Sequence, residues 1–560
     1  MKNTRGTGRR AWLALPLLAS IAMACSTNEH ALAGQKSEKG ERSEGAEKAD
    51  TAASLLTDTA SGGVSEADIA ALEAVPRVPF RDSCPAPNGA PRPGTVRCFA
   101  KLRTDEAGQR LAYAAPRGLG AQDLSEAYHV PSSGTRTGTI AIVDAYDNPN
   151  AEADLDVYRK QYGLPPCTTA NGCFKKVNQN GAPSPLPAPD VGWGGEIALD
   201  LDVASAMCPA CNLLLVEGDA PTLRDLGMAV NTAVRMGAAV VSNSYGGPEL
   251  GDDSEGGVGS IEEADALYYS NHPGVGIFAA SGDNAFEEGT SYPASGVNVI
   301  GIGGTRLVRS STNPRGWVEG AWSRAGSGCS THIAKPKWAN DGPDCAKKTV
   351  ADISAVGDPA TGAAVYNSYG VPSGGSGWAI VGGTSAATPI VAAIFVLTGK
   401  AGYNGSFIWQ NPKLFYDVTT GNNASRWFDA GLVCPRGSYL CNARVGFDGP
   451  TGWGSPNTAL LLEAGGVGGS DGGGAAGLDA GAGKADAGVK KDAPTLADAS
   501  TGTKNDSDPE SKIAPAAKSE SSGCSCVVVG KGKNAIPLSV VVAMIAMLVA
   551  ARRRRSDRPI

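Results

Sequence analysis

Five short apolar runs restrict the folds open to this chain more than any other feature. Residues 139–143, 212–216, 238–242, 275–279 and 297–300 are nearly continuous in Val, Ile, Leu, Phe and Ala. A strand with one wet face alternates, whereas an unbroken run of this length is buried on both faces, as in parallel sheets covered by helices. Helical periodicity lies between the runs: Leu223, Leu226, Val230 and Val234 recur at helical spacing within residues 222–236, and residues 196–207 form a second helical segment. Strand, helix, strand in this order implies right-handed crossovers and an α/β domain with helices on both faces of a mostly parallel sheet. Functional side chains in such folds gather at the carboxyl ends of the strands.

The 560 residues change character sharply along the chain. Residues 1–24 combine a basic start with an apolar run and read as an export signal. Cys25-Ser26 leaves open either lipidation or plain cleavage. Residues 25–75 are rich in Ser, Glu, Lys, Ala and Gly and read as a disordered spacer. Residues 76–118 form a short cysteine-bearing segment, and 119–463 the folded domain. Residues 464–534 are a low-complexity linker ending in Cys524-Ser525-Cys526. An apolar stretch at 535–551 and a basic tail at 552–560 follow, readable as a membrane anchor or as a removable sorting tail.

Of thirteen cysteines, setting aside Cys25, Cys524 and Cys526 leaves ten that fall as close neighbours in sequence. An exported chain with an even count at short spacing is expected to form disulfides, with the pairing left open. Cys208-Pro209-Ala210-Cys211 is also compatible with a redox or zinc half-site. The net charge of −7 comes with no basic patch, so nucleic acid is not an expected partner. A monomer is expected.

Three motifs carry candidate chemistry. Gly382-Gly383-Thr384-Ser385 runs into an apolar helical segment and places Ser385 in a first helical turn, where free N–H groups and the helix dipole suit a developing negative charge. Glu196 and Asp200, four residues apart, share one helix face; their mutual repulsion raises a pKa and favours a shared proton. Asp283, in Ser281-Gly282-Asp283, follows a buried strand, and a carboxyl held neutral there can donate a hydrogen bond. Taken singly, each motif has an ordinary reading: a helix cap, a solvated acidic face, a turn residue.

Taken together, and in this order, the three motifs resemble the sedolisin family of serine-carboxyl peptidases, over roughly residues 119–460. Supporting stretches include Tyr292-Pro293-Ala294-Ser295, Gly303-Gly304-Thr305 and Asp352-Ile353-Ser354. The resemblance implies a subtilisin-like fold with a seven-stranded parallel sheet, flanked by disordered linkers. It also implies an exported endopeptidase acting on proteins or peptides in acid through an acyl-enzyme. Ser385 would be the nucleophile, Glu196 the base and later acid, Asp200 its orienting partner and Asp283 the oxyanion-hole acid. It further implies one structural Ca2+, held by the Asp417 and Asp448 carboxylates and the backbone carbonyls of Val418, Arg444 and Gly446; oxygen-only ligands suit a hard cation. Residues 34–118 are too few for the long prodomain usual in the family. Two rival readings are a Ser-His-Asp peptidase using Asp144, for which no histidine has a fitting context, and a surface-anchored binding domain that has lost its chemistry.

Overall fold

The computed structural model describes residues 64–85, 94–131, 138–249, 259–371, 375–425 and 431–465. The expected export signal, the linker with its Cys motif, the apolar stretch at 535–551 and the basic tail lie outside these residues. Among the described residues no helix is long and apolar enough to cross a membrane.

The apolar runs become strands of one large sheet: β1 (Thr139–Ala145), β2 (Phe174–Asn178), β3 (Asn212–Gly218), β4 (Val240–Asn243), β5 (Gly276–Ala280), β6 (Val299–Arg309), β7 (Trp317–Ala321) and β8 (Ile353–Val356). The strand order is β7-β6-β5-β4-β1-β3-β2, with β8 pairing a later part of β6. Seven of these strands are parallel, and β7 joins β6 antiparallel. The expected seven-stranded parallel core is therefore present, with one antiparallel strand added at its edge.

Helices α1 (Ala151–Gln161), α2 (Val191–Met207), α3 (Leu223–Arg235) and α4 (Thr384–Leu397) pack around this sheet. Alternate residues of each strand serve opposite faces, as strand geometry requires. Ile140, Ile142, Leu213 and Leu215 join the core containing α2 and α4, whereas Ala141, Val143, Leu214 and Val216 join the one containing α3. Thr222 caps α3 by accepting from the Asp225 N–H, and Asp190 caps α2 by accepting from the Trp193 N–H at 2.9 Å. Helix α2 thus begins five residues before the expected segment, because the Asp190 cap outweighs the helix-weakening Gly192, Gly194 and Gly195.

The spacer reading needs correction at its end. Residues Glu66–Glu73 form a helix with a Ser65/Asp68 capping box. Leu72 is buried against the β6–β7 edge, and Arg306 donates to its carbonyl at 3.1 Å. A composition averaged over forty residues conceals one short capped helix with an apolar anchor. Cysteines 84 and 98, 167 and 173, 208 and 211, 329 and 345, and 434 and 441 form disulfides. The pairing left open by sequence is therefore between nearest neighbours, and Cys208 and Cys211 are not free for a metal.

Candidate active site

Ser385 occupies the second position of α4, fully buried, behind a positive-φ Gly383. A glycine cap has no side chain to satisfy the first helical N–H, and Asp283 supplies the missing acceptor from the end of β5. Its Oδ1 accepts from the Thr384 N–H at 2.8 Å and from the Thr384 hydroxyl at 2.9 Å. Pro389 removes the N–H that would bond the Ser385 carbonyl four residues back. That carbonyl instead accepts from the Ser244 hydroxyl at 3.3 Å.

The same Ser244 hydroxyl lies 2.9 Å from Asp200 Oδ1, so it ties the helix carrying Ser385 to the helix carrying the acids. The Ser385 hydroxyl donates to the Ser244 carbonyl at 3.0 Å. Glu196 and Asp200 are both completely buried on α2, which corrects the solvated-face alternative. Burial, then the Asp200 charge, pushes Glu196 well above the usual carboxylate range, against the pull of the neighbouring Ser385 hydroxyl and the Ala100 amide. Burial likewise raises Asp200, with Ser244 opposing. One oxygen of each, Glu196 Oε1 and Asp200 Oδ2, lacks a hydrogen-bond partner.

Asp283 is buried, and its Oδ2 accepts no hydrogen bond. Burial lifts its pKa to about 6, with the Lys101 ammonium and the Thr384 donors holding it from rising further. Lys101 Nζ lies 3.7 Å from Asp283 Oδ2 and 2.5 Å from Asp82 Oδ1. Serine, glutamate and two aspartates thus converge at the carboxyl edge of the sheet and the start of α4.

Asp144, considered from sequence only for a Ser-His-Asp site, belongs to the same buried cluster. Both its oxygens lack partners, and burial together with Asp200, Glu196 and Glu217 drives its pKa well up. Its position near the end of β1, beside a strand β3 that carries Glu217 opposite it, was the available signal. The three described histidines are engaged elsewhere: His129 with the Tyr416 hydroxyl, His272 with the Tyr268 carbonyl and His332 with Glu262.

A strap from the N-terminal segment crosses this site. The Phe99 N–H points to Ser385 Oγ at 3.1 Å and to the Ser244 carbonyl at 3.2 Å, and the Ala100 N–H donates to Glu196 Oε2 at 2.9 Å. Nothing in the sequence of residues 97–103 announced this contact.

The two halves of the expected cation site come together. The Gly446 N–H donates to Asp417 Oδ2 at 2.8 Å, and the Arg444 N–H to Asp448 Oδ2 at 3.0 Å. Asp417 Oδ1 is a buried oxygen without a partner, and the two carboxylates lie close enough for Asp417 to raise Asp448. The Arg444 guanidinium turns to the Phe447 carbonyl at 2.9 Å, leaving its backbone carbonyl independent of the side chain. A hard cation fits this donor set.

A subtilisin-like α/β domain whose serine faces carboxyl groups in place of a histidine defines a class, the serine-carboxyl type. Comparison with known proteins agrees. Residues 194–414 match the Subtilase family. The chain is 29% identical over 389 residues to kumamolisin from Bacillus sp. (strain MN-32), covering 63% of this chain and 65% of that one. It is 28% identical over 407 residues to sedolisin from Pseudomonas sp. (strain 101), covering 65% of each. The match thus spans just under two thirds of either relative. Pseudomonas sedolisin, a serine-carboxyl proteinase solved with two molecules of pseudo-iodotyrostatin, superposes with a TM-score of 0.51 at 25% identity, covering 63% of this chain and 98% of that structure. The chain is thus similar to sedolisins in sequence and in the fold of its α/β domain.

Proposed function

We propose that the protein is an exported serine-type endopeptidase that hydrolyses peptide bonds in proteins or peptides and works best in acid. The observation that carries this reading is Ser385 at a helix start, linked through Ser244 to Asp200 and lying beside Glu196 and Asp283. In this reading Ser385 attacks the scissile carbonyl while Glu196 accepts its proton. Glu196 then protonates the leaving amine and later activates the water that cleaves the acyl-enzyme. Asp200 orients Glu196 and shares its proton. Asp283, when neutral, donates from Oδ2 to the oxyanion. Since its pKa lies near 6, activity falls as pH rises through that value. The five disulfides support export to an oxidising compartment.

One calcium ion would sit between Asp417 and Asp448, with carbonyls of Val418, Arg444 and Gly446. It would supply charge neutralisation to that lobe and take no part in bond cleavage.

The test is digestion of a denatured protein by the purified chain from pH 3 to pH 8. Acid-favoured cleavage is expected, lowered about 10^4-fold or more in Ser385→Ala. Equal cleavage by the variant would remove Ser385 from the mechanism. No cleavage by either folded protein would favour the binding-domain reading.

A further inference from the structure

The strap has the geometry of a bound substrate. Arg97 and Cys98 pair antiparallel with Gly246 and Tyr245, and Lys101 and Leu102 pair antiparallel with Gly382 and Val381. The chain is therefore held as an added strand on both sides of Phe99 and Ala100, the way a peptide is gripped by exposed sheet edges. Between these grips the contacts fall on the reacting groups. The Phe99 amide faces Ser385 Oγ, and the Ala100 amide, the nitrogen that a cleavage would release, faces Glu196 Oε2.

The Phe99 carbonyl oxygen fills the notch left by Gly383. A Cβ there would lie 1.9 Å from that oxygen and 2.8 Å from Asp283 Oδ2, so the oxygen sits beside the carboxyl suited to an oxyanion. The Phe99 ring is 1% exposed. Its wall is made of glycines: a Cβ at Gly246 would come within 2.9 Å of the ring, and one at Gly282 within 3.7 Å.

We propose that the pocket bounded by Gly246 and Gly282 selects an aromatic side chain on the acyl side of the cleaved bond, and that Phe99–Ala100 is the chain's own first cleavage site. The proposal rests on the peptidase reading. In the step, Ser385 Oγ bonds to the Phe99 carbonyl carbon and its proton passes to Glu196. The Phe99–Ala100 C–N bond breaks as Glu196 returns the proton to the Ala100 nitrogen. Water then splits the ester, giving a proton to Glu196 and hydroxyl to Phe99, and Ser385 regains its proton; one water is consumed.

Until that bond is cut, the strap fills the cleft. Residues Phe80–Asp82 pair with Lys101–Arg103, the Ser83 N–H donates to the Ala100 carbonyl at 2.9 Å, and Cys84 is bonded to Cys98. Both cysteines lie on the acyl side of the bond, so the disulfide does not join the two products. The segment too short for a full prodomain thus supplies the part that reaches the nucleophile.

The experiment uses the oxidised full chain and its Ser385→Ala form, incubated from pH 4 to pH 7 and followed by intact mass and N-terminal sequencing. A Ser385-dependent new N-terminus at Ala100 is expected. In parallel, synthetic peptides spanning residues 95–105, with serine for cysteine, carry Phe, Tyr, Leu, Ala or Asp at the position of Phe99. The Phe and Tyr peptides should be cleaved with kcat/KM at least about tenfold above the Ala peptide. Gly246→Val should erase that preference by lowering the Phe peptide more than the Ala peptide. Ser385-dependent digestion of denatured protein with Phe99–Ala100 left intact, or with no aromatic preference, overturns the proposal and leaves the peptidase reading standing. If no Ser385-dependent cleavage of any substrate occurs, the peptidase reading fails and this proposal falls with it.

Discussion

Glu196, Asp200 and Asp144 lie packed between α2 and the central sheet, and Asp417 with Asp448 lies in the lobe that follows α4; both groups are carboxylates taken out of water. Their surroundings differ. In the lobe, N–H and hydroxyl groups from Arg444, Gly446 and Thr451 converge on the oxygens. In the site, Glu196 and Asp200 each show one close donor, Ala100 and Ser244, and Asp144 has no hydrogen-bond partner. Burial raises the pKa of both groups; in the lobe the N–H and hydroxyl donors oppose that rise, whereas around Asp144 and Glu196 the neighbouring acids add to it. The site acids can therefore exchange protons, whereas the lobe pair would be held in its charged form by a bound cation.

The largest effect expected from this contrast separates chemistry from support. Glu196→Gln keeps shape and removes the exchangeable proton, so kcat/KM should fall by about 10^4-fold with the thermal midpoint little changed. Asp448→Asn should do the reverse, lowering the midpoint and abolishing its response to calcium. A site holding calcium at a hundred times its Kd contributes about 2.7 kcal/mol, which a calcium titration by calorimetry would read. An unchanged rate in Glu196→Gln, or a calcium response that survives Asp448→Asn, would break the comparison.

How much of this was readable beforehand follows the same division. Buried strands and the helix of α3 announce themselves because burial on both faces leaves a long apolar signature, and their bounds hold to within a few residues except for β6, which runs on to Arg309. Ser385, Glu196, Asp200 and Asp283 were legible because a glycine turn, a helical four-residue spacing and a strand end each restrict where a side chain points. The glutamate-bearing helix itself starts earlier than its pattern suggests, since the Asp190 cap lies beyond three weakening glycines. Asp144 entered only the rival reading, and its place in the acid cluster was not legible because its neighbours are distant in sequence: Glu217 is brought beside it by parallel pairing and Asp200 by the packing of α2. The strap was illegible for a related reason: antiparallel pairing of Arg97 with Gly246 leaves no mark on either segment.

A second, smaller effect concerns stability. Burial and three neighbouring acids raise Asp144, so the native state binds a proton there that the unfolded chain has released above about pH 4. The sign follows: with more protons on the native state, stability is greatest in acid and falls as pH rises through the folded pKa. Asp82 acts oppositely: although burial works to raise it, Lys101 holds its pKa down, and its contribution is lost as pH falls. The site cluster outnumbers it. The thermal midpoint should therefore be higher near pH 5 than near pH 8, and Asp144→Asn, which cannot ionise, should narrow that gap. Denaturant titrations at the two pH values measure this; an equal loss in variant and parent would show that Asp144 is not the titrating group.

The smallest expected change tests the lysine that approaches Asp283. Lys101 Nζ stands 3.7 Å from Asp283 Oδ2 and favours its ionised form, while burial favours the neutral one and sets a pKa of about 6. Lys101→Met deletes the cation and keeps the buried stem, so Asp283 should stay neutral to higher pH. If a neutral Asp283 stabilises the oxyanion, the descending limb of the Phe99–Ala100 self-cleavage rate against pH should move upward by roughly one unit, with the rate in acid unchanged. A limb that moves downward, or stays fixed while the self-cleavage rate falls at every pH, would mean that Lys101 acts on strap placement and that another group governs the acid dependence. The two carboxylate environments would then differ in donors without differing in which protons the reaction uses.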